Sequence, residues 1–176
     1  MNLTELPYKE LMEHISEVLK KREWGHLATS ANDFVRVGYM RIVSDGYLVW
    51  CYTDKRSRKY QQLQVNQNIA IGDKDLQIEG IANIRGHPLD EENSAFIQAY
   101  KENQPENYKR TADRQFLPER TEFRVIEIVP SRITHYQVGS TPEENVFLIL
   151  DTVEKKAYRL KGKKIFETEA YKSGLR

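Results

Sequence analysis

Apolar positions in this chain fall into two periods. Between residues 7 and 21, Leu11, Ile15, Val18 and Leu19 recur every three to four residues, which predicts a helix with one buried face. Pro7 suits its first turn, and Lys20, Lys21 and Arg22 favour its C-terminal end. Trp24–Thr29 reads as a short strand, and Phe34–Val43 and Tyr47–Thr53 flank a Ser44-Asp45-Gly46 turn as a hairpin. A short helix at about 57–65 leads into isoleucine-rich strands at about 68–73 and 76–85. Pro88 and Asp90 open a further helix with Phe96, Ala99 and Tyr100 on one face. Residues 101–120 are polar without a sustained period, and read as a loop with at most one helical turn, a candidate lid or subunit contact. Strand patterns return at Glu122–Ile128 and Ile133–Val138, followed by short strands at about 145–151, 156–161 and 164–169. Many short, closely connected strands with few helices predict an antiparallel β-barrel in an α+β, mainly β, setting. Residues 1–140 read as one domain, with 141–176 a C-terminal extension packed on it.

Composition narrows the function classes. The net charge is +1 with 30% charged residues, so the broad basic field of a nucleic-acid binder is missing. Aromatics are plentiful, but outside residues 55–59 cations and anions are interspersed, and the tyrosines fit half-buried strands better than base stacking. No apolar run approaches the roughly 20 residues of a membrane span, and the N-terminus lacks the layout of a signal peptide. Cys51 is the single cysteine, which excludes an internal disulfide and suits the cytoplasm. Its place in an apolar strand reads as a small buried hydrophobe. His14, His26, His87 and His135 are far apart, and none has a second His or Cys at ligand spacing, so no metal site is expected. Phosphate loops, dinucleotide fingerprints and nucleophile elbows are absent.

Residues 52–63 carry the most chemistry. Lys55, Arg56, Ser57, Arg58 and Lys59 stand where an apolar strand, Tyr47–Cys51, gives way to a short amphipathic helix. Cations are unfavourable at a helix N-terminus, where the macrodipole is already positive. Their crowding makes sense if an anion fills the spot, with phosphate the simplest candidate. A solvated basic turn is the competing reading.

These residues, in this order of elements, resemble the FMN-binding split-barrel proteins, the superfamily of pyridoxamine 5'-phosphate oxidase. Gly25-His26-Leu27-Ala28-Thr29-Ser30 is similar to the family's first strand. Arg36-Val37-Gly38-Tyr39-Met40-Arg41 falls where the family has an Arg-led strand along the flavin. Tyr52-Thr53 followed by Ser57-Arg58-Lys59 is similar to its phosphate-binding segment, and Asn66–Ile71 and Ile78–Ala82 resemble the two strands that follow. The resemblance covers about residues 24–86, with a weaker echo at Phe123-Arg124-Val125. It implies an antiparallel split β-barrel of Greek-key type with peripheral helices. It also implies FMN as cofactor, with Arg58 and Lys59 on its phosphate and Thr53 and Ser57 as neutral donors beside Tyr52. Arg36, Val37, Gly38 and Tyr39 would edge the isoalloxazine. Gln77 is a further flavin contact by similarity, displaced by two residues from the family's glutamine, whose position holds Asp75 here.

The resemblance further implies a symmetric homodimer with flavin at the subunit interface. A lone barrel is expected to leave Trp50, Phe123 and Ile126 near open edges. The oxidase's terminal Arg-Leu-x-x-Arg segment has no counterpart in the tail, which argues against pyridoxamine 5'-phosphate oxidation. An FMN-dependent oxidoreductase acting on another small organic substrate is the expected function. A non-catalytic flavin protein, a haem-handling relative using His14 or His135, and a deazaflavin relative are the alternatives.

Overall fold

The computed structural model describes residues 2–141 and 144–161; the strand expected at 164–169 lies outside them. A first strand, β1 (Asn2–Leu6), precedes helix α1 (Tyr8–Lys20). Then follow β2 (Trp24–Ala31), β3 (Phe34–Arg41), β4 (Val43–Asp45), β5 (Leu48–Asp54), α2 (Arg58–Val65), β6 (Asn68–Asp73) and β7 (Leu76–Ile84). After a short 3-10 turn come α3 (Ser94–Asn103), α4 (Pro105–Ala112), β8 (Phe123–Gln137), β9 (Val146–Asp151) and β10 (Lys156–Lys161). All strand pairings are antiparallel, in the order β1-β10-β9-β8-β7-β6-β2-β3, with β5 joining β8 and β4 joining β5.

The long strand β8 explains why the sheet is split. Its first half pairs β5, its second half pairs β9, and β7 runs along its other edge from Ile126 to His135. The register shifts between Glu79 and Gly80, which pair with Arg132 and Pro130 and leave Ser131 as the extra residue. Proline cannot donate to a ladder, so it sits at such an irregularity. It made one bent strand read as two in the sequence. At the other side, β3 pairs β2 and β4 pairs β5, with Ile42 joining the two segments. No ladder closes β3 onto β5 among the described residues, so the barrel stays open there.

The interior is filled from both sides of that ring. Leu11, Ile15 and Leu19 of α1 enter a core with Leu27, Ile71, Ile78, Ile126, Ile128, Ile133 and Leu150. Each such side chain contributes about 1.5–3 kcal/mol on burial. A second core lies under α3, where Phe96, Ala99 and Tyr100 pack with Val43, Trp50, Phe116 and Val125. Residues 105–112, expected as loop, form α4. Pro105 opens it, and Tyr108 packs edge-on to Tyr100 at 5.6 Å. Trp50, Phe123 and Ile126, expected near open edges, are all buried within the single chain. The exposed apolar surface lies instead on β3, where Val35, Val37 and Tyr39 are 70%, 65% and 60% exposed. No described helix is long and apolar enough to cross a membrane.

Candidate functional site

The opening between β3 and β5 is bordered by the start of α2, and six of the sequence-derived residues meet there. Ser57 caps α2, its hydroxyl accepting from the Tyr60 amide at 3.3 Å, and lies 2.9 Å from the hydroxyl of Thr53 on β5. Arg58 and Lys59 are the first two helical residues, where backbone N–H groups have no intrahelical acceptor. Lys59 leans over β3. A Cβ placed on Gly38 would lie 3.4 Å from its Cε and 4.0 Å from its Nζ, so the end of the lysine lies within van der Waals reach of the strand. Its charge is also felt at Cys51, whose thiol burial pushes up to about 12 while Lys59 pulls it back. Arg36 stands opposite the buried Thr29 and Gly38 opposite Leu27, on the face of β3 that turns toward α2. That face is tied to the helix by Gln62, which accepts from the Thr29 hydroxyl at 2.7 Å and donates to the Phe34 carbonyl at 2.8 Å.

Charge pairing divides the basic cluster. Arg56 is taken up locally. It binds Asp54 through Nε at 3.0 Å and through its backbone N–H at 2.7 Å, which holds the Asp54 carboxyl down at about 2. Arg36, Lys55, Arg58 and Lys59 have no carboxylate within salt-bridge distance among the described residues. Cations without partners, a capping hydroxyl, and free helical N–H groups suit a dianionic phosphate of roughly −1.5 to −2 charge. The donor set therefore fits the phosphate end of FMN. It would be Thr53, Ser57, Arg58 and Lys59 that hold it.

The remaining residues are placed differently. Val37 and Tyr39 point to the outer face, in register with Ala28 and His26. Tyr39 stacks on Trp24 with centroids 4.8 Å apart. Because β3 pairs only with β2 among the described residues, its free backbone edge lies between the α2 side and this outer face. An elongated ligand could cross that edge and touch both sets. Tyr52 is not brought to the cluster. Its ring packs edge-on against Phe116 at 5.0 Å, on the opposite face of β5 from Thr53. Gln77 is also remote. The row Gln77–Gly72–His26–Tyr39 spans three strand spacings, about 14 Å, and the Gln77 amide donates to Glu79 at 2.9 Å. The outer face between them forms a groove of about 620 Å³ lined by His26, Ala28, Val37, Gly72, Gln77 and Tyr136.

Sequence reasoning named His14 and His135 singly and missed that they meet in one polar cluster. His14 of α1 lies 3.2 Å, nitrogen to nitrogen, from the buried His135 of β8, whose other nitrogen lies 3.3 Å from Asp75. They are separated by 121 positions, so no spacing signal exists. No group of three or more His, Cys, Asp or Glu is placed to hold a metal among the described residues.

The fold agrees with comparison to known proteins. No curated protein matches. Among solved structures, a pyridoxamine 5'-phosphate oxidase candidate from Listeria innocua is 23% identical with a TM-score of 0.53, covering 70% of this chain and 95% of its own. The general stress protein 26 of Bacillus anthracis is 22% identical, TM-score 0.54, with 70% and 92% covered. HutZ, the heme storage protein of Vibrio cholerae, is 19% identical, TM-score 0.52, with 67% and 88% covered. At these identities the likeness speaks to the fold. A family model described as pyridoxamine 5'-phosphate oxidase matches residues 11–137, well over half of the sequence, and so the chain belongs to the pyridoxamine 5'-phosphate oxidase-like family.

Proposed function

We propose that this chain binds FMN in the opening between β3 and β5 and serves as an FMN-dependent oxidoreductase for a small organic substrate other than pyridoxamine 5'-phosphate. The observation that carries the reading is the set of unpaired cations at the start of α2, with Lys59 reaching across to Gly38. Arg58, Lys59, Ser57 and Thr53 bind and orient the phosphate, and Arg36 adds a third cation from β3. Bound FMN supplies hydride chemistry, and the chain's part is to position it and to shield its reactive face. Val37 and Tyr39 provide an apolar, aromatic surface beside the free edge of β3. Since 60–70% exposure of three such residues is costly in water, we assign this face to a second copy of the chain, in a symmetric homodimer.

The test is reconstitution of purified protein with FMN and with riboflavin, followed by fluorescence quenching. One FMN per chain is expected, bound far more tightly than riboflavin. Equal affinity for the two would remove the phosphate assignment. A haem spectrum in the purified protein, with no flavin uptake, would replace the reading.

A further inference from the structure

The pair His14–His135 sits at the centre of a chain of polar contacts that the proposed flavin site does not use. His135 is 7% exposed on β8, two residues from Gln137 and therefore on the same face. The His135 Nε2 lies 3.3 Å from the Asp75 carboxylate, and Asp75 is held in turn by Arg22 at 2.5 Å. A carboxylate accepts only, so His135 carries its proton on Nε2 and aims the Nδ1 lone pair at His14 Nε2. The Gln137 amide approaches the same His14 nitrogen at 3.4 Å from another direction. If His14 Nε2 bears a proton for His135, the Gln137 amide nitrogen confronts a donor with a donor. Turning the amide presents its oxygen instead, and oxygen and nitrogen are assigned there only by the bonds they make.

We propose that His14, His135 and Gln137 form a binding site for one divalent transition-metal ion of the zinc, nickel or copper kind. Two ligands at about 2.1 Å from a metal lie about 3.0 Å apart at a right angle and about 3.4 Å apart at a tetrahedral angle. The nitrogen pairs at 3.2 and 3.4 Å fall within that range. All three side chains would then offer lone pairs to one centre, which relieves the donor–donor conflict. Imidazole nitrogens with a neutral amide oxygen suit these ions and not magnesium or calcium, which prefer all-oxygen shells. The His135 ring is supported as metal-bound imidazoles generally are, by a carboxylate on its other nitrogen, itself fixed by Arg22. His14 and Gln137 are exposed, leaving the remaining coordination positions to water and an open path for the ion. A bound ion would tie α1 to β8 at the end of the sheet remote from α2.

The test uses the full chain with any affinity tag removed, so that no added histidine competes. Zinc chloride is titrated calorimetrically, and the two imidazoles are followed by ¹⁵N-resolved NMR. Wild type is expected to bind one ion saturably, with shifts at His14 Nε2 and His135 Nδ1 and a higher melting temperature. His14→Ala, on an exposed helix face, should fold normally and lose that binding. Asp75→Asn, altering a positioning residue, should weaken affinity by about 10–100-fold and blur the His135 tautomer preference. Absence of saturable binding in wild type would overturn the site. So would equal affinity in His14→Ala, which would put the ion on His26 or His87. NMR showing His14 Nε2 still protonated under saturating zinc would reduce the pair to a hydrogen bond.

Discussion

Arg58 and Lys59 are the residues on which the flavin assignment turns, and their removal gives the clearest measurement. Each charge-assisted bond to phosphate contributes about 1.5–3 kcal/mol, so the double change Arg58→Ala, Lys59→Ala should weaken FMN binding by several kcal/mol. The apo-protein should melt at or slightly above the wild-type temperature, because two cations that oppose the helix dipole are gone. Thermal melts with and without excess FMN separate the effects, since a ligand stabilises only a state that binds it. A wild-type FMN shift in the double variant would place the phosphate elsewhere. Loss of the apo fold would make the cations structural. Cys51 gives a second residue-scale prediction. It is 1% exposed, with its thiol pushed up to about 12 by burial, so it should resist a thiol reagent at pH 8 and react fully in urea. Rapid native labelling would mean that β5 is more open than described. At this scale the sequence was most legible where chemistry is local. Thr53, Ser57, Arg58 and Lys59 lie within seven positions of each other, and the strand-to-helix turn brings them together. Tyr52 was misplaced because strand alternation sends adjacent side chains to opposite faces, and its ring found the aromatic layer under α3. The pairing of Arg56 with Asp54 was equally local, yet two adjacent cations look alike until a carboxylate chooses one.

Among the elements, β8 governs the shape, and the irregularity at Gly80 governs β8. A Cβ on Gly80 would meet the carbonyl of Val129 and lie 2.8 Å from Pro130 Cα, both backbone atoms of the neighbouring strand. Backbone cannot move aside as a flexible side chain can. Gly80→Ala should therefore destabilise by at least the ~1–3 kcal/mol typical of overpacking, read as a lower urea midpoint. An unchanged midpoint would mean the two strands separate there at no cost. Helix α1 was legible because one of its faces is buried, whereas the hairpin expected of Phe34–Val43 with Tyr47–Thr53 holds only where Val43–Asp45 meets Leu48–Trp50, since Phe34–Arg41 pairs β2 instead. The rest were not, for distinct reasons. β1 carries only Leu3 and Leu6 as apolar residues and is defined by its pairing with β10, more than 150 positions away. α4 is a polar helix of eight residues, held by Pro105 at its start and Tyr108 against Tyr100, so no apolar stripe announced it. Pro130 divided a continuous strand in the reading because a proline inside a run argues against a strand unless a bulge accepts it.

For the whole molecule, the exposed outer face of β3 demands a covering. A strand at the edge of a sheet that shows Phe34, Val35, Val37 and Tyr39 to solvent invites pairing or aggregation unless another surface meets it. None of the described elements of the chain packs there, since α2 takes the opposite face and α3 and α4 lie over β4 and β5. A second copy meeting the same face about a two-fold axis would bury it and would bring the opening proposed for FMN in each copy beside its neighbour. The protein is thus expected to be a dimer by light scattering at micromolar concentration. Val35→Lys placed on that face should shift it to monomer, because a like charge is then brought against its symmetry mate. The substitution points away from Lys59, so each monomer should keep its fold. FMN affinity then decides between two architectures. If the interface completes the site, the monomeric variant should bind FMN more weakly than wild type although Arg58 and Lys59 are intact. If FMN still binds with wild-type affinity to a demonstrable monomer, the site belongs to the single chain, and the exposed face serves assembly alone. A wild-type protein that is monomeric with FMN bound would refute the dimer itself and leave the apolar face of β3 to a different partner.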